Sequence, residues 1–377
     1  MIFRKFKDLD ISALGMGCMR FPTHGEDNQV DMEKTAEMID LAMKSGINYY
    51  DTAWGYHGGE SEKVMGELLS KYPRDSYYLA TKFPGYTTDN IKPGKPAEIF
   101  PRQLEKCKVD YFDFYLFHNV SEYNIDAYMD PQNGILDYLL ARKAEGKIRH
   151  LGFSTHGNLD TMRRFLEGYG EHMEFCQIQF NWLDLTLQNG KEKLELLREY
   201  NMPVIVMEPV RGGRLVSLTD EYAERLKTAA PDRTAAEWAF RFLHGYEDIF
   251  VTLSGMSNMD QLKENIATYE KESPLSEDDL AVLSGIAKDM MALKTFTCTG
   301  CKYCLDYCPQ KLNIPDLIKI YNKHLFRGGN TISADMMADI EEDKRPDSCI
   351  ACGGCESVCP QGIKISEVMA SFSAKLK

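Results

Sequence analysis

Through the first 270 residues, short apolar runs alternate with longer stretches whose apolar residues recur every three or four positions. The runs at 11–20, 47–52, 77–82, 112–118, 148–154, 175–180, 203–207 and 250–253 are rich in Ile, Val, Phe and Tyr. Their apolarity is nearly continuous, the pattern of strands covered on both faces. Helical spacing marks 32–44, 60–71, 134–145, 191–200, 235–243 and 260–270 between them. Eight strands with intervening helices predict an α/β fold, a closed (β/α)8 TIM barrel rather than an open sheet. The first strand carries Gly15 and Gly17 but no G-x-G-x-x-G, which argues against a Rossmann unit. A further helix is expected from Ser276, where Ser276-Glu277-Asp278-Asp279 has the form of a capping box with Asp in place of Glu.

Composition adds a second domain to this picture. The 377 residues suit about two domains. Apolar content of 44% and charged content of 27% exclude disorder and low complexity. A net charge of −13 argues against a nucleic-acid partner, since phosphate binding needs clustered positive charge. Residues 298–377 are charge-balanced, so that excess falls on the preceding 297. No apolar run approaches the roughly 18 residues of a membrane span. The charged first ten residues lack the apolar core of a secretory signal, so a cytoplasmic location is expected.

The eleven cysteines are unevenly placed. Cys18, Cys107 and Cys176 stand singly and suit small core positions, while eight lie between Cys298 and Cys359. In a reducing compartment such clustering indicates metal binding rather than disulfides. Cys298-x2-Cys301-x2-Cys304-x3-Cys308-Pro309 recurs as Cys349-x2-Cys352-x2-Cys355-x3-Cys359-Pro360. This is the run of bacterial two-cluster ferredoxins, in which the fourth cysteine ligates the other cluster. One [4Fe–4S] cluster is therefore expected on Cys298, Cys301, Cys304 and Cys359, and a second on Cys349, Cys352, Cys355 and Cys308. Zinc, which usually takes two C-x2-C pairs per ion, is the weaker alternative. The forty residues between the motifs read as helices at 314–324 and 333–342 around Gly328-Gly329, so the connection resembles the helical ferredoxin modules of respiratory enzymes. The expected domains are a barrel over 1–292 and a smaller, largely helical ferredoxin-like domain over 293–377.

Active sites of such barrels lie at the C-terminal strand ends. Asp51 ends the second predicted strand, Tyr56 follows one short loop later, Lys82 ends the third and His118 the fourth. At Asp51-Thr52-Ala53-Trp54-Gly55-Tyr56, Thr81-Lys82 and Leu116-Phe117-His118 the chain resembles the aldo-keto reductase family. The resemblance covers about residues 1–270, and it implies hydride transfer between NADPH or NADH and a small carbonyl or alcohol substrate. The family tetrad maps onto Asp51, Tyr56, Lys82 and His118 without substitution. In that reading Tyr56 protonates the carbonyl oxygen as hydride arrives at carbon. A phenol ordinarily titrates near 10. An ammonium about 4 Å away at an effective dielectric near 20 is worth on the order of 4 kcal/mol, so Lys82 is expected to make Tyr56 more acidic. Asp51 keeps Lys82 placed and charged, and His118 orients the substrate oxygen.

The resemblance also implies cofactor contacts. Ser154 matches the serine of a Ser-Asn pair that holds the nicotinamide amide, with Thr155 where the Asn would stand. Gln179 matches the family glutamine, and Met207-Glu208-Pro209 stands where the family often places a tyrosine that stacks on the nicotinamide ring. Gly212 and Gly213, in Arg211-Gly212-Gly213, suit backbone approach to pyrophosphate. Glu264 and Asn265 resemble adenine contacts, while Gly255 and Gln261 replace the basic residues that grip a 2′-phosphate in many members. Trp54, Phe83, Tyr86 and Tyr123 fall in strand-end segments and are candidates for an aromatic substrate pocket, with ordinary packing an equal explanation of each.

A nicotinamide gives up two electrons together, whereas a [4Fe–4S] cluster accepts one, so coupling the two ordinarily takes a flavin. No flavin fingerprint is present. Three functions follow: a reductase whose clusters pass electrons to a redox partner protein or a flavin; a reductase whose clusters are structural; or an electron-transfer protein whose barrel is a docking module.

Overall fold

The computed structural model describes residues 1–25, 29–292, 295–327, 337 and 340–376. The chain divides into two compact units, one of 1–210 with 218–283 and the other of 211–217 with 284–377. The second unit thus includes the segment 211–217, and its main stretch begins at 284 rather than at the expected 293.

The first unit is a closed eight-stranded parallel barrel. Its strands are β1 (Leu14–Gly17), β2 (Tyr49–Asp51), β3 (Tyr78–Phe83) and β4 (Phe112–Val120). They continue as β5 (Ile148–Thr155), β6 (Cys176–Gln179), β7 (Val204–Met207) and β8 (Ile249–Ser254), and β8 closes onto β1. All nine residues of β4 are buried, as continuous apolarity requires of a strand covered on both faces. The helices packed outside are α1 (Met32–Lys44), α2 (Ser61–Leu69), α3 (Lys95–Cys107), α4 (Ile135–Ala144), α5 (Leu159–Tyr169), α6 (Gly190–Glu199), α7 (Ala235–His244) and α8 (Met259–Thr268). Further helices at Ile125–Met129 and Asp220–Ala229 lie in the connections.

Two expectations need correction. The run at 11–20 is not one strand. Its start belongs to an antiparallel hairpin, Phe3–Phe6 with Leu9–Ser12, and only Leu14–Gly17 enters the barrel. The hairpin adds Phe6 and Ile11 to a buried cluster with Tyr49, Phe114, Phe175 and Phe250. The Phe6 ring stacks on Phe250 at 4.7 Å and meets Phe175 edge-on. Helices α3 and α5 were not among the expected ones. Pro101 sits inside α3 and obscures its period, although Pro96 occupies the first turn, where proline is tolerated.

Helix α9 (Glu277–Ala292) starts as expected: Asp279 N–H donates to Ser276 Oγ at 3.2 Å and Ser276 N–H donates to Asp279 Oδ2 at 3.3 Å. In the second unit α10 (Ile314–Arg327) and α11 (Ile365–Ser373) pack a core of Leu312, Leu317, Ile318, Val368, Met369 and Phe372. Most of the helix expected at 333–342, and the glycine pair before it, lie outside the described residues.

Candidate active site and iron–sulfur sites

Strand register brings the barrel residues together. Asp51 pairs with Ala80, so Lys82 lies two residues further along β3 and projects on the same face. Lys82 Nζ donates to Asp51 Oδ1 at 2.6 Å and to the Thr52 carbonyl at 2.8 Å, with both side chains buried. Burial raises the Asp51 pKa, and the Lys82 charge opposes that rise. Tyr56 opens a tight turn, Tyr56–Gly59, in which His57 adopts a left-handed conformation (φ 52°). His57 Nε2 accepts from Phe21 N–H at 3.1 Å and its ring stacks on Phe21, which fixes the turn from the β1 side. Lys82 Nζ lies 4.9 Å from the Tyr56 ring centroid, and the His118 ring lies 6.0 Å from Tyr56, edge to face. His118 is 3% exposed. Burial, then the Lys82 charge, hold its pKa well below the usual imidazole value, so it is neutral at pH 7 with one N–H to donate.

A buried polar network stands behind Lys82. Glu62, at 0% exposure, accepts from Thr81 Oγ1 (2.8 Å) and Gln103 Nε2 (2.7 Å) and pairs with Lys106 at 3.3 Å. Gln103 Nε2 also donates to the Lys82 carbonyl at 3.0 Å, and Tyr115 OH donates to Gln103 Oε1 at 2.5 Å. Sequence reading missed Glu62 and Gln103; their only signal is polarity on the inward faces of α2 and α3.

The four aromatic candidates separate. Tyr86 sits at the site, its ring 5.1 Å from His118 and its hydroxyl against Gly55, where a Cβ would meet it at 2.3 Å. Phe83 is core, packed on Tyr128; Trp54 lies beneath Lys106 at 3.8 Å; Tyr123 is 54% exposed.

The residues matched to cofactor contacts are engaged as follows. Ser154 Oγ accepts from Asn119 N–H at 2.8 Å, and Thr155 Oγ1 donates to the Val120 carbonyl at 2.7 Å. Gln179 Nε2 donates to Asp184 Oδ2 at 2.7 Å, and Asn181 fastens the same carboxylate. Met207 is half-buried at the end of β7. Gln261 Oε1 accepts from Ser257 N–H at 2.8 Å, Asn265 Nδ2 donates to Ser254 Oγ at 3.0 Å, and Glu264 lies on the same helix, α8. A Cβ on Gly255 would lie 3.3 Å from the Arg20 side chain. Asn119, next to His118, has a left-handed backbone (φ 57°) and a buried Oδ1 with no partner among the described residues. That orphaned acceptor suits an amide donor of the kind a nicotinamide carries. Gly212 is a correction in part: a Cβ there would meet the Thr299 carbonyl at 2.0 Å, so the close approach it serves is to the cysteine loop of the second unit.

In that unit the cysteines ring two pockets. One is lined by Cys298, Cys301, Cys304 and Cys359, with Ile314, Ile318, Ile363 and Ile365 as apolar wall. The other is lined by Cys308, Cys349, Cys352 and Cys355, with Leu312 and Met369. The two halves repeat at a spacing of 51 residues. Left-handed residues occur at Gly300 and Lys302 in one motif and at Ala351 and Gly353 in the other. Lys311 and Gly362 then share that conformation, each donating its N–H to the carbonyl of Cys308 or Cys359 at 3.0 Å. The helices α10 and α11 start at the equivalent Ile314 and Ile365. Backbone turns of this kind point N–H groups at sulfur: Gly300 N–H meets Cys298 Sγ, and Leu312 N–H meets Cys308 Sγ, both at 3.4 Å. Thiolate ligands, apolar walls and inward amides fit iron–sulfur clusters. Among the described residues no three Cys, His, Asp or Glu groups converge on a single-ion position.

Fold and sites together define the class: an NAD(P)-dependent barrel oxidoreductase with an iron–sulfur module. The aldo/keto reductase family matches residues 13–288, most of the chain, and the chain belongs to that family. A 4Fe-4S dicluster domain matches residues 297–364. Among relatives, YqkF of Bacillus subtilis (strain 168), an uncharacterized oxidoreductase, is 27% identical over 310 residues, covering 74% of this chain and 94% of YqkF. The NADH-specific methylglyoxal reductase of Escherichia coli (strain K12) is 26% identical over 326 residues, covering 74% and 96%. The holo form of aldo-keto reductase AKR11C1 from Bacillus halodurans superposes with a TM-score of 0.63 at 26% identity, covering 76% of this chain and 96% of that one. Among the described residues no helix is long and apolar enough to cross a membrane.

Proposed function

We propose that the barrel reduces a small carbonyl compound, with Tyr56 as the acid and His118 as the hydrogen-bond donor that orients the substrate oxygen. The observation that carries this reading is the cluster of Lys82 Nζ 2.6 Å from Asp51 and 4.9 Å from the Tyr56 ring, with neutral His118 beside that ring. A bound nicotinamide supplies the hydride. As negative charge develops on the carbonyl oxygen, Tyr56 delivers its proton there. The Lys82 cation stabilises the charge left on the phenol oxygen, and Asp51 holds that cation in place. His118 contributes a neutral N–H, which costs no repulsion against Lys82. Tyr86 and Gly55 shape the wall beside His118. The buried Asn119 Oδ1 suits the nicotinamide amide, with Ser154 and Gln179 nearby in the strand order, while Met207, Gly213, Gly255, Gln261, Glu264 and Asn265 belong to the remaining nucleotide contacts. The methylglyoxal reductase among the relatives supports a small aldehyde or ketone, and supports NADH over NADPH.

Cys298, Cys301, Cys304 and Cys359 hold one [4Fe–4S] cluster in this reading, and Cys349, Cys352, Cys355 and Cys308 the other. They serve one-electron exchange with a redox partner protein or a flavin, in the cytoplasm.

Tyr56→Phe is expected to lower kcat for carbonyl reduction by at least 100-fold, as loss of a positioned acid does. Its nucleotide affinity, read by fluorescence titration, should stay unchanged; retained turnover would remove Tyr56 from the acid role. Mixing anaerobic protein with NADH or NADPH should bleach the cluster absorption only when flavin is added, and bleaching without flavin would reject the need for a two-electron-to-one-electron mediator.

A further inference from the structure

Glu62 is fully buried, and its two oxygens hold different neighbours. It is the second residue of α2, three residues after the Tyr56–Gly59 turn ends. Oε1 accepts from Thr81 Oγ1 at 2.8 Å and from Gln103 Nε2 at 2.7 Å, while Oε2 accepts from Lys106 Nζ at 3.3 Å. Gln103 and Lys106 lie one turn apart on α3 and so share one face of that helix. A buried carboxylate with three donors, one of them a cation, is well satisfied and stiff.

Each of these donors carries the grip on to one half of the Tyr56–Lys82 pair. Gln103 Nε2 also donates to the Lys82 carbonyl at 3.0 Å. Side chains alternate across a strand, so Thr81 points outward to Glu62 while its neighbour Lys82 points to Asp51 on the other face of β3. Lys106 Nζ donates to the carbonyl of Gly59, the last residue of the turn that Tyr56 opens, at 3.4 Å. The same ammonium lies 3.8 Å from the ring centroid of Trp54, two residues before Tyr56. One carboxylate thus holds β3 from behind Lys82 and the turn from either side of Tyr56. Proton delivery requires the phenol and the ammonium to keep one separation, and a displacement of about 1 Å costs up to roughly 100-fold in rate.

We propose that Glu62 is a positioning residue for carbonyl reduction: through Gln103 and Lys106 it fixes the turn carrying Tyr56 against the strand end carrying Lys82. This rests on the assignment of Tyr56 as the acid, and the test separates the two. Glu62→Gln combined with Lys106→Met removes both charges together, so neither is left unpaired in the interior. Single-turnover rates of carbonyl reduction are measured for this double variant, for Tyr56→Phe and for the triple variant, with nucleotide affinity followed by fluorescence titration. With Tyr56 present, the two substitutions should lower the rate about tenfold and leave nucleotide affinity and substrate KM unchanged. With Phe at position 56 no phenol remains to be misplaced, so the same two substitutions should change the residual rate less than about twofold. A double variant as fast as the parent overturns the proposal, as does an equal loss in both backgrounds, which marks a purely structural network. Full turnover in Tyr56→Phe overturns the acid assignment and this inference with it. If the double variant does not fold, Lys106→Gln decides: its amide, one bond shorter, donates to Glu62 and releases Gly59. The same difference between the two backgrounds is expected there, and equal rates or equal losses overturn the proposal.

Discussion

At the scale of single residues, the barrel site is a charge problem solved by position. Lys82 and Asp51 are both buried, and two such ions are stable only as a well-bonded pair. Asp51 Oδ2 has no hydrogen-bond partner among the described residues, so its stability depends on the single bond to Lys82. Lys82→Met should therefore cost about 3–5 kcal/mol of stability by leaving the carboxylate uncompensated. Pairing it with Asp51→Leu should return most of that loss, although activity stays absent. Denaturant unfolding of the two variants checks this, and an equal loss in both would show that packing rather than charge dominates. The placement of Asp51, Tyr56, Lys82 and His118 was legible in the sequence because each lies within two residues of a strand's end or one short loop beyond it, where fold and side-chain identity combine. Asn119, Glu62 and Gln103 were not set apart, and Tyr86 was named only as one of four aromatic candidates. Their significance comes from contacts across 20 to 40 residues of chain, such as Gln103 with Lys82 and Glu62, that no local pattern encodes.

At the scale of elements, close packing depends on a few positions without side chains. Helix α2 carries Gly66, where a Cβ would meet the Lys106 carbonyl of α3 at 2.2 Å. The obstacle is backbone, so it cannot swing aside. Gly66→Ala should lower stability by about 1–3 kcal/mol despite alanine's better helix propensity. A gain in the thermal midpoint would mean that α2 and α3 separate freely. The same contact places Glu62 beside Lys106 and Gln103, so a shift in α2 reaches Lys82 through them. Most strand and helix positions were legible within one or two residues, since buried parallel strands and amphipathic helices have different periods. The hairpin that opens the chain was not: Ile11 and Leu14 look like one apolar run, and only tertiary pairing divides them between the hairpin and the barrel. The cysteine repeat was read as two motifs, yet it continues into α10 and α11. Conformation is shared there at positions such as Lys302 and Gly353 where residue type is not.

At the scale of the whole molecule, the barrel unit is built to be stable near neutral pH and to lose stability in acid. His244, at the end of α7, is 6% exposed, and its Nδ1 accepts from Ser273 N–H at 3.2 Å. Burial, then the Arg4 charge, push its pKa down to about 4. The unfolded imidazole titrates near 6.5. Above 6.5 neither state is protonated and the full stability is present. Below it the unfolded chain binds a proton that the folded chain refuses, so stability falls until the folded value near 4 is reached. The linked loss across that window is about 3 kcal/mol. His118, depressed in the same direction, adds to it. Glu174 works at lower pH: bonds from His150, Lys143 and Lys7 hold its carboxyl below the usual range despite burial, so its contribution is full above the ordinary carboxylate range and is lost as pH falls from that range towards the lower folded value. His244→Gln keeps an acceptor for Ser273 but cannot titrate. Amide exchange of barrel peptides, corrected for intrinsic rates, should show the parent losing about 3 kcal/mol more than His244→Gln between pH 7 and pH 4. Equal losses would place the acid sensitivity elsewhere in the barrel, with His118 the next group to substitute.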